Sequence, residues 1–312
     1  MDMNETNENA MGGTEIMARG LEARVDPRVL KHFQIIQSRV RDIDGSRIPI
    51  YWLHDLPGDS ESEHLANGGW EKFDRLVYVS NWQAQEYQSY YGIPWHKGVV
   101  MLNAIAPIAP KEKTRGKIKI IYHSTPHRGL NLLISAFEQL CEKYDDVQLD
   151  VFSSFKLYGW EERDKQYKAL FDRCKAHPKI NYHGTQSNEF VRQALAEAHI
   201  FAYPSIWPET SCLCLMEAMS AGCLCIHPNY AALYETAANC TRMYQYLERA
   251  EDHATMMHRQ LVDAVDDFWT PGTQAGLARQ TSYANTFYSW DVRARQWDRL
   301  LRGILREKRI AV

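Results

Sequence analysis

Two successive parallel α/β layers are the fold this sequence predicts, and three observations predict them. Short apolar runs alternate with amphipathic segments from one end to the other, the pattern of strands crossed over by helices. A Pro- and charge-rich stretch without periodicity, Pro107 to Gly116, divides that alternation in two. The 312 residues suffice for two domains of ordinary size or one large one.

In the first part, Phe33-Gln34-Ile35-Ile36, Ile48 to Leu53, Leu76-Val77-Tyr78-Val79 and Val99-Val100-Met101-Leu102 read as buried strands. Asn81 to Tyr91 reads as a helix ended by Gly92 and Pro94. The second series opens at Ile118-Lys119-Ile120-Ile121-Tyr122. Strands follow at Gln148 to Phe152, Ile180 to Tyr182, Ile200 to Tyr203 and Cys223 to Ile226. Helices are expected at Leu130 to Lys143, Tyr167 to Ala176, Asn188 to Ala198 and Ser211 to Ala221. From Tyr283 to Arg306, Trp290, Val292, Trp297, Leu300, Leu301 and Ile304 form one helical stripe.

Composition narrows the function classes. A formal net charge of −3 argues against a protein that coats nucleic acid. Hydrophobic content of 45% suits a full globular core, and no apolar run has the length of a bilayer span. The polar start Met1-Asp2-Met3-Asn4 is unlike a signal peptide, so the expected location is cytoplasmic. Cys212, Cys214, Cys223 and Cys225 form two Cys-x-Cys pairs that a metal site would use. They fall inside an apolar helix and strand, where reduced cysteine acts as a small hydrophobe, and the core reading is preferred.

The segment Pro204 to Gly222 carries the most chemistry. It sets Glu209 and Glu217 eight positions apart, with Thr210 and Ser211 directly after the first. With Ser211 or Cys212 opening a helix, Glu209 lies in the loop ahead of it and Glu217 about two turns along. Free amides at that helix start suit an anion. Upstream, His123-Ser124-Thr125-Pro126-His127-Arg128-Gly129 joins a strand to a helix, and Pro49 to Leu53 runs into His54-Asp55. Gly12-Gly13 is a glycine pair, where a backbone without Cβ admits a close neighbour.

Taken together these segments resemble the family 4 retaining glycosyltransferases and their Glu-x7-Glu signature. The resemblance implies the GT-B fold, two Rossmann-like domains facing across a cleft, here with a reduced N-terminal domain. It implies an acceptor-side domain over 1–107, braced by the helix 285–312, and a nucleotide-sugar domain over 108–284. It gives Glu209 the hydroxyls of the donor sugar, Glu217 the ribose, and the amides of Thr210, Ser211 and Cys212 the diphosphate. Arg128 stands at the family's lysine position, and Ser124 or Thr125 where an arginine is usual. A guanidinium bridges two phosphate oxygens at any relevant pH, and Lys156 is the candidate for a second charge. His54 is implied beside the reacting carbon, Gly12 and Gly13 against the donor, and His183 where the base packs. One discrepancy accompanies the match: residues 1–11 hold no apolar run for the strand that should precede Gly12.

The expected activity is therefore retaining transfer of a hexosyl group from a UDP- or GDP-linked sugar to an acceptor hydroxyl. His54, Arg128 and Glu209 are the expected catalytic residues. No other cofactor is expected. No Asp-x-Asp motif lies between the domains, so no metal is expected. The acceptor is left open among a glycan, a lipid headgroup, a small metabolite and a modified nucleic-acid base. The basic end Arg302 to Arg309 allows peripheral membrane contact, with a solvated helix end as the plainer reading. A sugar-nucleotide epimerase, a phosphorylase and a catalytically inactive nucleotide-sugar binder are the alternatives.

Overall fold

The computed structural model describes residues 12–38 and 42–311. The chain divides into two units, Met1–Ile105 with Tyr288–Val312, and Ala106–Phe287.

In the first unit Gly12 stands in extended backbone ahead of α1 (Gly13–Glu22), followed by α2 (Pro27–Leu30), whose first turn is capped by Asp26. Four parallel strands come next, β1 (Phe33–Gln37), β2 (Ile48–Trp52), β3 (Arg75–Tyr78) and β4 (Gly98–Val100). They lie in the order β1-β2-β3-β4, each beside its predecessor. The helix α3 (Asn81–Tyr91) has the bounds read from the sequence, because Ser80 accepts from the Gln83 N–H and Gly92 ends it in the left-handed region. Tyr51, Leu53, Leu76, Tyr78 and Tyr87 pack the core on this side. The strand expected before Gly12 concerns residues 1–11, which lie outside the described residues.

The chain's last helix, Trp290–Glu307, completes this unit. Its fully buried Trp297 meets Trp52 edge to face at 4.8 Å. Gly20 makes room for Trp290: a Cβ there would lie 1.9 Å from the indole, so Gly20→Ala forces that helix off its seat. The expected single stripe from Tyr283 to Arg306 is two helices. Ser289 takes extended backbone and accepts the Val292 N–H, while the Tyr288 carbonyl accepts the Ile105 N–H at 2.8 Å. A serine cap and a strand-like bridge thus override a continuous apolar periodicity.

The second unit begins with β5 (Ile118–His123), α4 (Leu130–Lys143), β6 (Val147–Phe152), α5 (Lys168–Ala176) and β7 (Ile180–Tyr182). It continues with α6 (Asn188–Glu197), β8 (Ile200–Ala202), α7 (Leu213–Ser220), β9 (Leu224–Pro228), α8 (Leu233–Ala237) and β10 (Arg242–Tyr244). Two helices close it, α9 (Ala250–Asp267) and α10 (Pro271–Phe287). All six strands are parallel, in the order β10-β9-β8-β5-β6-β7. Their fully buried Ile, Leu and Val side chains explain why they read as continuous apolar runs. Cys223 and Cys225 belong to this interior; the Cys223 thiol donates to the Leu195 carbonyl. No described helix is long and apolar enough to cross a membrane.

Candidate active site

Counted from its own first strand, the second sheet runs 3-2-1-4-5-6 when read from its β7 edge, the Rossmann order. The order reverses between β5 and β8, and parallel sheets bind ligands beyond the strand ends at such a point. The loops that meet there are Ser124 to Gly129, after β5, and Tyr203 to Cys212, after β8. Gly129 lets them touch. Its φ is +110°, and a Cβ on it would lie 2.1 Å from the Pro204 carbonyl oxygen. No other residue type satisfies both conditions.

This contact brings Arg128 to Glu209. The Arg128 Nη1 donates to Glu209 Oε1 at 2.5 Å, and the carboxylate is almost wholly buried. The Tyr203 hydroxyl donates to the same oxygen, and Ser124 Oγ lies 3.4 Å from that hydroxyl. Burial opposes the charge on Arg128, yet Glu209, with Tyr203 and Tyr158, more than offsets it and holds the guanidinium protonated. Burial, reinforced by the Glu209 charge, pushes the Tyr203 phenol far up, so it stays a donor.

Glu217 is arranged in parallel. The Arg192 Nη1 donates to Glu217 Oε1 at 2.8 Å, and its Nη2 donates to the carbonyls of Ala106 and Pro107. Burial raises the Glu217 pKa, while His123 and Arg192 pull against it. Each glutamate is thus pinned through one oxygen by one guanidinium. Neither Glu209 Oε2 nor Glu217 Oε2 receives a hydrogen bond from the described residues.

The helix between them starts later than expected. Cys212 is its extended N-terminal cap residue and Leu213 its first helical one, so Glu217 lies little more than one turn along rather than two. The preceding loop is held out of the helix because the Glu209 carbonyl accepts the Ala232 N–H from the segment after β9. No side chain caps this helix start. Its first intrahelical bond is Met216 N–H to the Cys212 carbonyl, and the Leu213 and Cys214 N–H groups have no backbone partner among the described residues.

One property marks the whole face. In the second unit, the described buried side-chain N and O atoms without a protein partner all lie at or beyond the ends of β5, β6, β7 or β8. They are His123 Nε2, Thr125 Oγ1, His127 Nδ1, Arg128 Nε, Ser153 Oγ, Thr185 Oγ1 and Ser211 Oγ. Buried polar atoms are normally satisfied, and a cluster of exceptions at one sheet edge is what a polar ligand or ordered water would satisfy. His127 stacks on Phe155 and meets Trp207 edge-on. Burial, with Arg128 and Arg163, pushes its pKa to about 4, so it is neutral.

Farther along the same edge, His183 stacks on Phe152 at 4.4 Å and 10°, with half-exposed Phe190 beside it. Its Nε2 lies 2.9 Å from Asp150 Oδ1. Thr210 sits in the loop ahead of α7. Lys156 is not among the groups brought together here: its exposed Nζ pairs with Glu161 at 2.9 Å. Sequence reading passed over Tyr203, Arg192, Asp150 and Ser153. Tyr203 alone left a signal, as a polar-tipped residue closing an otherwise apolar run.

Gly12, Gly13 and His54 belong to the first unit. The His54 N–H donates to Ser38 Oγ at 2.9 Å, and the ring lies tilted 4.8 Å from Trp52. Burial pushes its pKa to about 3, so the imidazole is neutral. This unit also holds an Asp-x-Asp triplet outside the interdomain stretch, Asp42-Ile43-Asp44. Its Asp44 carboxylate already accepts from Ser46 and from Arg47 at 2.6 Å, as a turn does.

Residues 104–242, a little under half of the chain, match the family model described as Glycosyl transferases group 1. The match spans the stretch that holds Arg128, Glu209 and Glu217. A human phosphatidylinositol N-acetylglucosaminyltransferase subunit is 26% identical over 105 residues, 34% of this chain and only 20% of that protein. Among solved structures, a glycosyltransferase from Rickettsia africae ESF-5 superposes with a TM-score of 0.68 at 16% identity, covering 98% of this chain and 84% of that one. The pneumococcal O-GlcNAc transferase GtfA, in complex with UDP and GlcNAc, gives 0.64 at 10% identity, covering 83% and 53%. Anabaena Alr3699/HepE, in complex with UDP-glucose, gives 0.60 at 15% identity, covering 82% and 72%. At these identities the likeness shows the fold, and it is the GT-B glycosyltransferase architecture expected from the sequence.

Proposed function

We propose that the protein is a retaining glycosyltransferase that moves a hexosyl group from a nucleotide-diphosphate sugar to an acceptor hydroxyl without a divalent metal. The observation that carries this reading is the buried Arg128–Glu209 pair at the switch point of a Rossmann sheet, ringed by polar atoms the protein leaves unsatisfied. The group 1 match over these residues and the UDP-bound structural relatives support it.

In this reading the leaving diphosphate lies between Arg128 and the amides before Met216, and the sugar hydroxyls meet Glu209 Oε2. The bond between anomeric carbon and diphosphate oxygen breaks as charge gathers on that oxygen. A permanently charged guanidinium and a fixed helix start stabilise that charge without reorganising, which lowers the barrier. The acceptor oxygen bonds the same carbon from the same face, and its proton passes to the departing phosphate. Glu209 then orients the ring and need not attack it. Glu217 Oε2 takes the ribose, Phe152 with His183 faces the base, and neutral His54 is the third catalytic residue proposed.

The test is isothermal titration with UDP-glucose, UDP-N-acetylglucosamine and GDP-mannose, each beside its own nucleoside diphosphate, followed by assay for slow release of free sugar in EDTA. One sugar nucleotide is expected to bind more tightly than its diphosphate and to lose its sugar slowly with the anomeric configuration kept. Binding of none of them, inverted product, or turnover abolished by EDTA contradicts the proposal.

A further inference from the structure

The Glu209 carboxylate has two partners on one oxygen and none from the described residues on the other. That asymmetry needs a cause. An arginine beside a carboxylate prefers a two-pronged pairing in which both oxygens face the guanidinium. Such a pairing would turn Glu209 Oε2 away from any sugar and occupy a second Arg128 nitrogen. Here the pairing is single-pronged, and Arg128 Nε is left buried without a partner.

We propose that Tyr203 is a positioning residue that holds Glu209 in this one-sided pairing, so that Oε2 reads a donor-sugar hydroxyl and Arg128 keeps its other nitrogens for the diphosphate. The inference rests on the donor-site reading given above.

The phenol is built to do this. Tyr203 follows β8 directly, its N–H donates to the Ile226 carbonyl at 2.9 Å, and its side chain is fully buried. The ring stacks on Phe201 at 5.5 Å and lies against Tyr122 at 5.9 Å, so its hydroxyl has little freedom of position. Tyr122 is itself tied by its hydroxyl to the Thr125 carbonyl in the Arg128 loop. The Tyr203 hydroxyl therefore reaches Glu209 Oε1 from a rigid base at the end of β8, the strand whose following loop carries Glu209. A phenol kept protonated by burial donates at every working pH.

The experiment compares wild type, Tyr203→Phe, Glu209→Gln and the double variant by titration with whichever probe sugar nucleotide wild type binds best and with its bare nucleoside diphosphate. Tyr203→Phe keeps the ring and its stacking. It is expected to cost on the order of tenfold in affinity for the sugar nucleotide, the scale of one hydrogen bond to a charged group. The bare diphosphate should change less than about threefold, which a merely structural loss would not produce. In the Glu209→Gln background the tyrosine change should add nothing further. Affinity for the sugar nucleotide unchanged by Tyr203→Phe, or equal losses for both ligands, overturns the Tyr203 assignment alone. A wild type that binds no sugar nucleotide better than its diphosphate overturns the donor-site reading as well. Should Tyr203→Phe fold poorly, Ser124→Ala, which removes the other neighbour of that hydroxyl, is expected to show a smaller loss confined to the sugar nucleotide; no loss there counts against the proposal.

Discussion

The two units are built from the same kind of parallel sheet and differ in where they leave hydrogen bonds unmade. In the second, every described unsatisfied side-chain atom falls on the edge where β5 to β8 end. In the first they are scattered over both sheet ends and the helices, from His32 and Gln37 to Gln88 and Trp297. The sheets differ in the same sense: the second reverses its strand order, and the first, as described, does not. A reversal opens a crevice between adjacent strand ends, and polar groups converge only where a crevice exists. The loop after β2 shows the contrast. There Ser62, Tyr91, Gln83 and Tyr87 satisfy one another and the backbone of Asp55 and Gly58. One unit thus gathers its unsatisfied polar groups at a single edge, whereas the other leaves them dispersed.

The largest expected effect falls on Arg128. Arg128→Met should cut transfer by about 10²- to 10³-fold, the scale for losing one charged group at an oxyanion. Because it also strands the buried Glu209 charge, Arg128→Met/Glu209→Gln should melt higher than Arg128→Met alone. Steady-state assay and thermal melting check both parts, and an active Arg128→Met removes the basis for ranking the second unit first.

Next come one residue from each unit. Glu217→Gln is expected to weaken UDP about tenfold, since a carboxylate–hydroxyl bond in a buried site is lost. With His54 catalytic as proposed, His54→Asn should leave UDP affinity within about twofold while lowering turnover about 10²-fold, the low end for a positioned acid–base group. The reverse outcome, nucleotide affinity lost in the first unit and kept in the second, would break the comparison.

A smaller effect is thermodynamic. Burial holds His54 at about 3 and His227 at about 4, below the ~6.5 of an unfolded histidine. The unfolded chain therefore binds more protons as pH falls through that window, so stability is whole above about pH 6.5 and declines toward pH 4. Replacing either by Asn should flatten the fall in melting temperature between pH 6.5 and 4.5, by at most ~1.4 kcal/mol per pH unit for each residue. The smallest change expected is His183→Ala, a few-fold loss of nucleotide affinity through one stacking face, read by the same titration.

Much of this was legible before the structure. Strand positions such as Ile180–Tyr182 and helices such as Asn81–Tyr91 and Leu130–Lys143 follow from periodicity and end signals that act locally. That Arg128 and Glu209 lie in loops after strands was legible from the sequence, although their pairing was not. That contact depends on Gly129 admitting the Pro204 carbonyl, a tertiary fit with no sequence period. Tyr203 was hidden because its ring extends the apolar run of β8 while its hydroxyl serves Glu209, six residues on in the loop it opens. Arg192 was hidden on the polar face of α6, where a charged residue looks like solvated surface. The single C-terminal stripe failed because one cap at Ser289 outweighed several turns of continuous pattern. The late start of α7 failed likewise, since the Glu209 carbonyl bonds forward to Ala232 instead of into the helix.

The most direct measurement is a crystal structure with the preferred sugar nucleotide bound. The diphosphate is expected within hydrogen-bond distance of Arg128 and the amides preceding Met216, with a sugar hydroxyl on Glu209 Oε2 and the ribose on Glu217. A nucleotide bound at any other edge of the second sheet, with the Arg128–Glu209 pair untouched, would contradict the account.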